Sequence, residues 1–202
     1  RLVASLTRAQ REMAELQDEL ALAQRHSGAI AERTRISRDI HDTVAQALSS
    51  IRLPACRISE TVLEKLRGIV GPNQLRTDDY ERAFHARGKS YHDLLYVRAG
   101  KLDMAPDAVA YPRSADEALA IVQLCAEEDI ALVPFGGGSS VVGGVNAMAR
   151  SLGGAVLTLD TTLMTRIIQI DKMSMTARIE AGIYGPQLEE QLQAHGVTLG
   201  HY

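Results

Sequence analysis

The residues best suited to chemistry lie in the run Val133-Pro134-Phe135-Gly136-Gly137-Gly138-Ser139-Ser140-Val141-Val142-Gly143-Gly144. A phosphate diester needs no oppositely charged side chain when several backbone N–H groups point at it. Successive glycines allow the positive-φ conformations that build such a nest, and without Cβ atoms they let the backbone come close. Ser139 and Ser140 add hydroxyl donors. Taken alone, three glycines in a row fit an ordinary surface turn equally well. The spacing is neither G-x-G-x-x-G nor a Walker loop, so the nucleotide folds built on those motifs are not expected.

A loop of this kind needs a strand to launch it and neighbours to brace it. Residues 131–134 pattern as a buried strand feeding the glycines, and Ser114-x-x-Glu117 as a capping box opening a helix to about Glu128. Strands are also expected at residues 109–111, 155–159, 167–170 and 174–181, with a last helix opened by Pro186 and closed at Gly196. Upstream, Thr61-x-x-Glu64 is expected to cap a short helix that stops at Gly71-Pro72, and residues 77–99 read as short helices rich in Tyr and charge.

The first 52 residues have a different texture, with no Pro and a single glycine, Gly28. Leu2, Leu6, Ala9, Met13, Leu16, Leu20, Ala23, Ser27 and Ile30 alternate at spacings of four and three, the seam of a coiled coil. The stripe slips at Ile36 and resumes through Ile40, Val44, Ala47 and Ile51 before Pro54 ends the helical pattern. A narrow seam of this kind predicts a homodimer through the N-terminal helix.

Composition excludes more than it assigns. The formal charge is -3 and no basic face dominates, so no nucleic-acid partner is expected. The apolar runs are too short to span a bilayer, and no signal peptide is visible. Cys56 and Cys125 form no CxxC pair, which argues against a disulfide scaffold or zinc site and for a reducing cytoplasmic location; no metal is expected. The chain opens on Arg1 and stops at Tyr202 within what patterns as an element, so it reads as part of a longer protein.

Residues 106–202 resemble the FAD-binding (PCMH, vanillyl-alcohol-oxidase-type) domain of alkyl-dihydroxyacetonephosphate synthases and related bacterial FAD-linked oxidases. The pieces that carry this resemblance are Pro106-Asp107-Ala108-Val109 before Pro112-x-Ser114, the glycine run itself, Leu159-Asp160-Thr161 with Met164 and Ile167, Glu180-Ala181-Gly182-Ile183, and Leu199-Gly200-His201. The stretch from Thr77-Asp78-Asp79 to Gly88-Lys89-Ser90-Tyr91, with Asp93-Leu94-Leu95, is similar to the N-terminal arm of that subfamily. The resemblance implies FAD as cofactor, its pyrophosphate held at Pro134, Phe135, Gly136, Gly137, Gly138, Ser139, Ser140 and Val141. Family members with covalent flavin carry a histidine where this chain has Ser139, which implies non-covalent FAD. It names no catalytic residue here. His195 and His201 read as structural or exposed residues, Asp160 and Glu180 as turn and strand-edge residues, and synthase and oxidase activities stay unseparated.

A second resemblance lies upstream. Glu32-Arg33-Thr34-Arg35-Ile36-Ser37-Arg38-Asp39-Ile40-His41-Asp42-Thr43-Val44-Ala45-Gln46 is similar to the phosphoacceptor helix of two-component sensor histidine kinases with an H-D-x-x-x-Q box. It implies phosphorylation at His41, proton handling by Asp42, water positioning by Gln46 and a response-regulator partner. The kinase pattern then breaks off, because Pro54-Ala55-Cys56-Arg57 leads into the flavoprotein arm instead of a second bundle helix, and no ATP-binding domain follows. The expected architecture is α+β: residues 1–53 a coiled-coil-like phosphoacceptor helix, residues 54–103 a junction and helical arm, and residues 104–202 the FAD-binding domain.

Overall fold

A computed structural model describes residues 53–102, 104–148 and 154–200. The chain divides into two units, Arg1–Gln46 and Ala47–Tyr202, and the described residues all belong to the second. The expected N-terminal coiled coil and dimer seam lie outside the described residues, as do His41, Asp42, Gln46 and His201.

The described residues form a mixed α/β fold. Its frame is a four-stranded sheet in the order β1 (Leu75–Arg76), β2 (Ala108–Ala110), β4 (Val156–Asp160), β3 (Ala131–Phe135). β4 runs parallel to both β2 and β3, while β1 pairs antiparallel with β2. A central strand with both faces covered should be apolar throughout, and all five residues of Val156-Leu157-Thr158-Leu159-Asp160 are buried.

One face of the sheet is covered by α1 (Glu60–Val70) and α4 (Ala115–Glu127). Val62, Leu63, Leu66 and Val70 recur at helical spacing and pack with Ile121, Leu124 and Cys125 over Ala108, Ala110, Leu157 and Leu159. Burial of a side chain such as Leu66, fully enclosed here, contributes about 2 kcal/mol. Ser59 caps α1 by accepting from the Val62 amide, so the helix starts before the expected Thr61 cap, and Gly71 ends it. At α4, Ser114 accepts from the Glu117 amide as expected. The Glu117 carboxylate accepts from the Arg113 amide, one residue short of a reciprocal box.

α2 (Asp79–Phe84) packs against β2, α3 (Tyr91–Arg98) follows it in the arm, and the glycine loop follows β3 directly. α3 carries the reciprocal capping box of this fold: Ser90 Oγ accepts from the Asp93 amide and the Asp93 carboxylate from the Ser90 amide. Beyond the sheet, β5 (Ile167–Asp171) and β6 (Thr176–Ile179) form a separate hairpin ahead of α5 (Gly185–Ala194). The expected strand at residues 174–181 is shortened because Ser174 belongs to a turn in which Asp171 accepts from the Met173 and Ser174 amides.

Candidate functional site

β3 delivers the glycines to the sheet's C-terminal edge, where β4 also ends. Pro134 is exposed and Phe135 buried, as alternation along β3 requires. The turn after β4 holds the start of the loop: the Thr161 amide donates to the Phe135 carbonyl at 2.9 Å, and its hydroxyl to the same oxygen at 3.3 Å.

Of the three successive glycines only Gly138 is left-handed, at φ +62°. The expectation of consecutive positive-φ residues is corrected accordingly. A Cβ at Gly138 would lie 2.5 Å from Phe135 Cζ, so the buried aromatic ring fills the space a side chain would need. At Gly137 a Cβ would meet only Tyr184 Cε1, at an ordinary 3.6 Å. Ser139 is exposed, Val141 is 66% exposed, and the Ser140 hydroxyl accepts from the Gly144 amide at 3.0 Å, closing the loop's far end. None of the N–H groups of residues 136–141 donates to an acceptor among the described residues.

Sequence reasoning assigned no role to the residues that support this loop from the arm. Lys89 donates twice: its amide to the Ser140 carbonyl at 2.9 Å and its ammonium to the Gly137 carbonyl at 2.7 Å. Ala147 donates to the Ala86 carbonyl, and Gly88 to Asn146 Oδ1, so the arm is stitched to both ends of the loop segment. The only sequence signal for this was the Gly88-Lys89-Ser90 piece of the arm resemblance.

Behind the loop is a buried polar network. His85, 1% exposed, packs its ring 4.4 Å from that of Phe135 and sets Nε2 2.9 Å from Asp160 Oδ2. Its Nδ1 lies 2.8 Å from the Glu81 carbonyl oxygen. The Glu81 carboxylate accepts from the Tyr111 hydroxyl, and burial together with that carboxylate pushes the Tyr111 phenol well above its ordinary range. Asp160, read from sequence as a turn residue, is thus a buried strand-end carboxylate. Glu180 is likewise buried, and its bond to the Arg166 guanidinium holds its carboxyl below the usual range. His195 caps the end of α5 in an exposed position, where its carbonyl accepts from the Lys172 ammonium. Among the described residues no group of His, Cys, Asp or Glu converges as a metal site.

Comparison with known proteins decides what the loop belongs to. Residues 106–202 match the FAD binding domain family. Residues 106–202 therefore carry an FAD-binding domain. The chain is 38% identical over 150 residues to the alkyldihydroxyacetonephosphate synthase of Trypanosoma brucei brucei, covering 74% of this chain and 24% of that protein. The corresponding synthase of Dictyostelium discoideum is 33% identical over 162 residues, covering 80% and 26%. A solved structure of alkyldihydroxyacetonephosphate synthase superposes with a TM-score of 0.71 at 34% identity, covering 76% of this chain and 29% of that one. The chain spans about a quarter of the length of the curated relatives it matches. Residues 32–72 match a second family, histidine kinase. That match runs into α1, the helix whose apolar face is buried against α4 and the sheet. No described helix is long and apolar enough to cross a membrane.

Proposed function

We propose that this chain is the cofactor-anchoring part of an alkyldihydroxyacetonephosphate synthase-like flavoenzyme, and that the loop from Pro134 to Val141 holds the FAD diphosphate through backbone amides. The observation that carries the reading is the run of N–H groups at residues 136–141 with no acceptor among the described residues, set on a loop whose turn is fixed by left-handed Gly138. Such a run fits a diphosphate, which accepts several N–H bonds at once and tolerates no Cβ in its path. When bound, FAD supplies the isoalloxazine ring as its reactive group. This chain's contribution is to bind and orient the cofactor at its diphosphate end. The Ser139 side chain cannot form a histidyl–flavin bond, so flavin held at this position is non-covalent.

Titration with FAD and with FMN tests the reading, because FMN lacks the diphosphate. FAD should bind more tightly by about tenfold or more. Equal affinities would remove the loop from the site.

The match at residues 32–72 supports a second reading, a dimerising phosphoacceptor segment with His41 as acceptor, Asp42 and Gln46 beside it, and a response regulator as partner. The burial of α1 in the flavoprotein core weighs against a complete kinase bundle, since α1 occupies the place in sequence of the bundle's second helix. A homodimer through the seam at residues 2–30 is compatible with both readings. Light scattering of the full chain at tens of micromolar, on the order of weak coiled-coil dissociation constants, should report a dimer that charge at Leu16 dissociates.

A further inference from the structure

We infer that Lys89 is a positioning residue for the diphosphate loop, acting through the loop's carbonyl groups. The inference rests on the reading of the loop given above. In a trans peptide the C=O of one residue and the N–H of the next point in opposite directions, and no cis peptide bond is present among the described residues. Lys89 holds the Gly137 carbonyl with its ammonium and the Ser140 carbonyl with its own amide. The N–H groups of Gly138 and Val141 are thereby turned to the side of the loop away from the arm. Thr161 does the same from the other end: by holding the Phe135 carbonyl it turns the Gly136 amide outward. Amides that could have pointed either way in a glycine loop are set in advance, and ordering a loop before its ligand arrives removes part of the entropic cost of binding.

Lys89 can do this because its own backbone is fixed on both sides. Ser90, immediately after it, is locked in the capping box of α3. Arg87, two residues before it, stacks 4.6 Å over the Tyr96 ring and pairs with Asp93 at 3.6 Å. Gly88 between them permits the close approach: a Cβ there would stand 2.2 Å from the Ser140 carbonyl oxygen. The side chain of Lys89 is exposed, so replacing it leaves the core untouched.

The test uses the full chain with Lys89→Met, Lys89→Arg and Gly88→Val. FAD and FMN are titrated against each, and the amide resonances of Gly138 and Val141 are recorded in ¹⁵N-labelled protein without flavin. Lys89→Met should move the Gly138 resonance and weaken FAD by about tenfold while changing FMN by less than about twofold. Lys89→Arg, which keeps a cationic N–H donor, should restore both values. Gly88→Val, which pushes the arm off Ser140, should move the Val141 resonance and weaken FAD in the same way. An unmoved Gly138 resonance in Lys89→Met overturns the inference, and so does an unchanged FAD-to-FMN ratio where the parent protein prefers FAD. A parent protein without that preference sinks the diphosphate reading instead, while a moved resonance restored by arginine still supports the positioning role.

Discussion

His85 and Asp160, 75 residues apart in sequence, meet at 2.9 Å in a buried pair directly against the ring of Phe135. The imidazole is enclosed by acceptors. Nδ1 faces the Glu81 carbonyl oxygen and Nε2 faces the Asp160 carboxylate. Thr162 satisfies the other carboxylate oxygen with its amide and hydroxyl. Phe135 in turn occupies the space beside Gly138, so the pair supports the loop from behind. Replacing His85 with Leu leaves a buried carboxylate without its main partner and should cost about 3–5 kcal/mol. Urea unfolding measures it. A cost under about 1 kcal/mol would show the pair to be idle, and adding Asp160→Asn to His85→Leu should cost less than the sum of the two single changes.

The glycine loop yields a contrast between neighbours. Gly138→Ala forces a side chain into a left-handed backbone and onto the Phe135 ring, whereas Gly137→Ala meets only Tyr184 Cε1, at an ordinary 3.6 Å. The first should lower FAD affinity by about a hundredfold, and the second by less than about threefold. Flavin fluorescence titration of the two variants side by side decides this. Similar losses in both would mean that the turn at Gly138 is not what shapes the site.

Parts of this arrangement were legible in sequence for identifiable reasons. The launching strand and the loop were readable because residues 131–134 form a short apolar run that leads into contiguous glycines; α4 was readable because Ser114 precedes an apolar-periodic run. What escaped was non-local or too short. The Lys89–Gly137 contact joins residues 48 apart, and no periodicity reports it. β1 has two residues and exists only because Leu75 and Arg76 pair with β2. His85 sits in a stretch rich in charge, and only the tertiary fold closes Phe135, Tyr111 and Asp160 around it. The capping box at Ser90 was missed because its third helical residue is Asp93 rather than Glu or Gln.

Acid should weaken the hairpin end of the described fold through Glu180. The Arg166 side chain and backbone amide both donate to its carboxylate, at 2.7 Å and 2.8 Å, and hold its folded pKa below the ordinary glutamate value. A carboxyl depressed on folding stabilises the protein above its unfolded pKa, and that contribution is lost as pH falls through the folded value. The melting temperature should therefore decline on going from about pH 5 to about pH 3. In Glu180→Gln part of that decline should vanish, because the titrating group is gone. A variant whose pH profile parallels that of the parent protein would assign the acid sensitivity elsewhere.

α1 lies within the segment matched to the histidine kinase family yet packs in the core of the fold that carries the FAD-binding match, and a single leucine tests which it serves. Leu66 is fully buried and packs in the cluster that joins α1 to α4 and the sheet. If α1 belongs to the flavoprotein core, Leu66→Ala leaves a cavity beneath the sheet and costs about 3 kcal/mol, lowering the melting temperature of the FAD-bound form. His41→Gln, in the segment matched to the kinase family, should leave both FAD affinity and that melting temperature unchanged. Incubation of the full chain with labelled ATP should also place no acid-labile phosphate on His41, since the helix that would complete the bundle is committed to the sheet. Label that appears and is abolished by His41→Gln, together with a Leu66→Ala variant of normal stability, would reverse the assignment of α1.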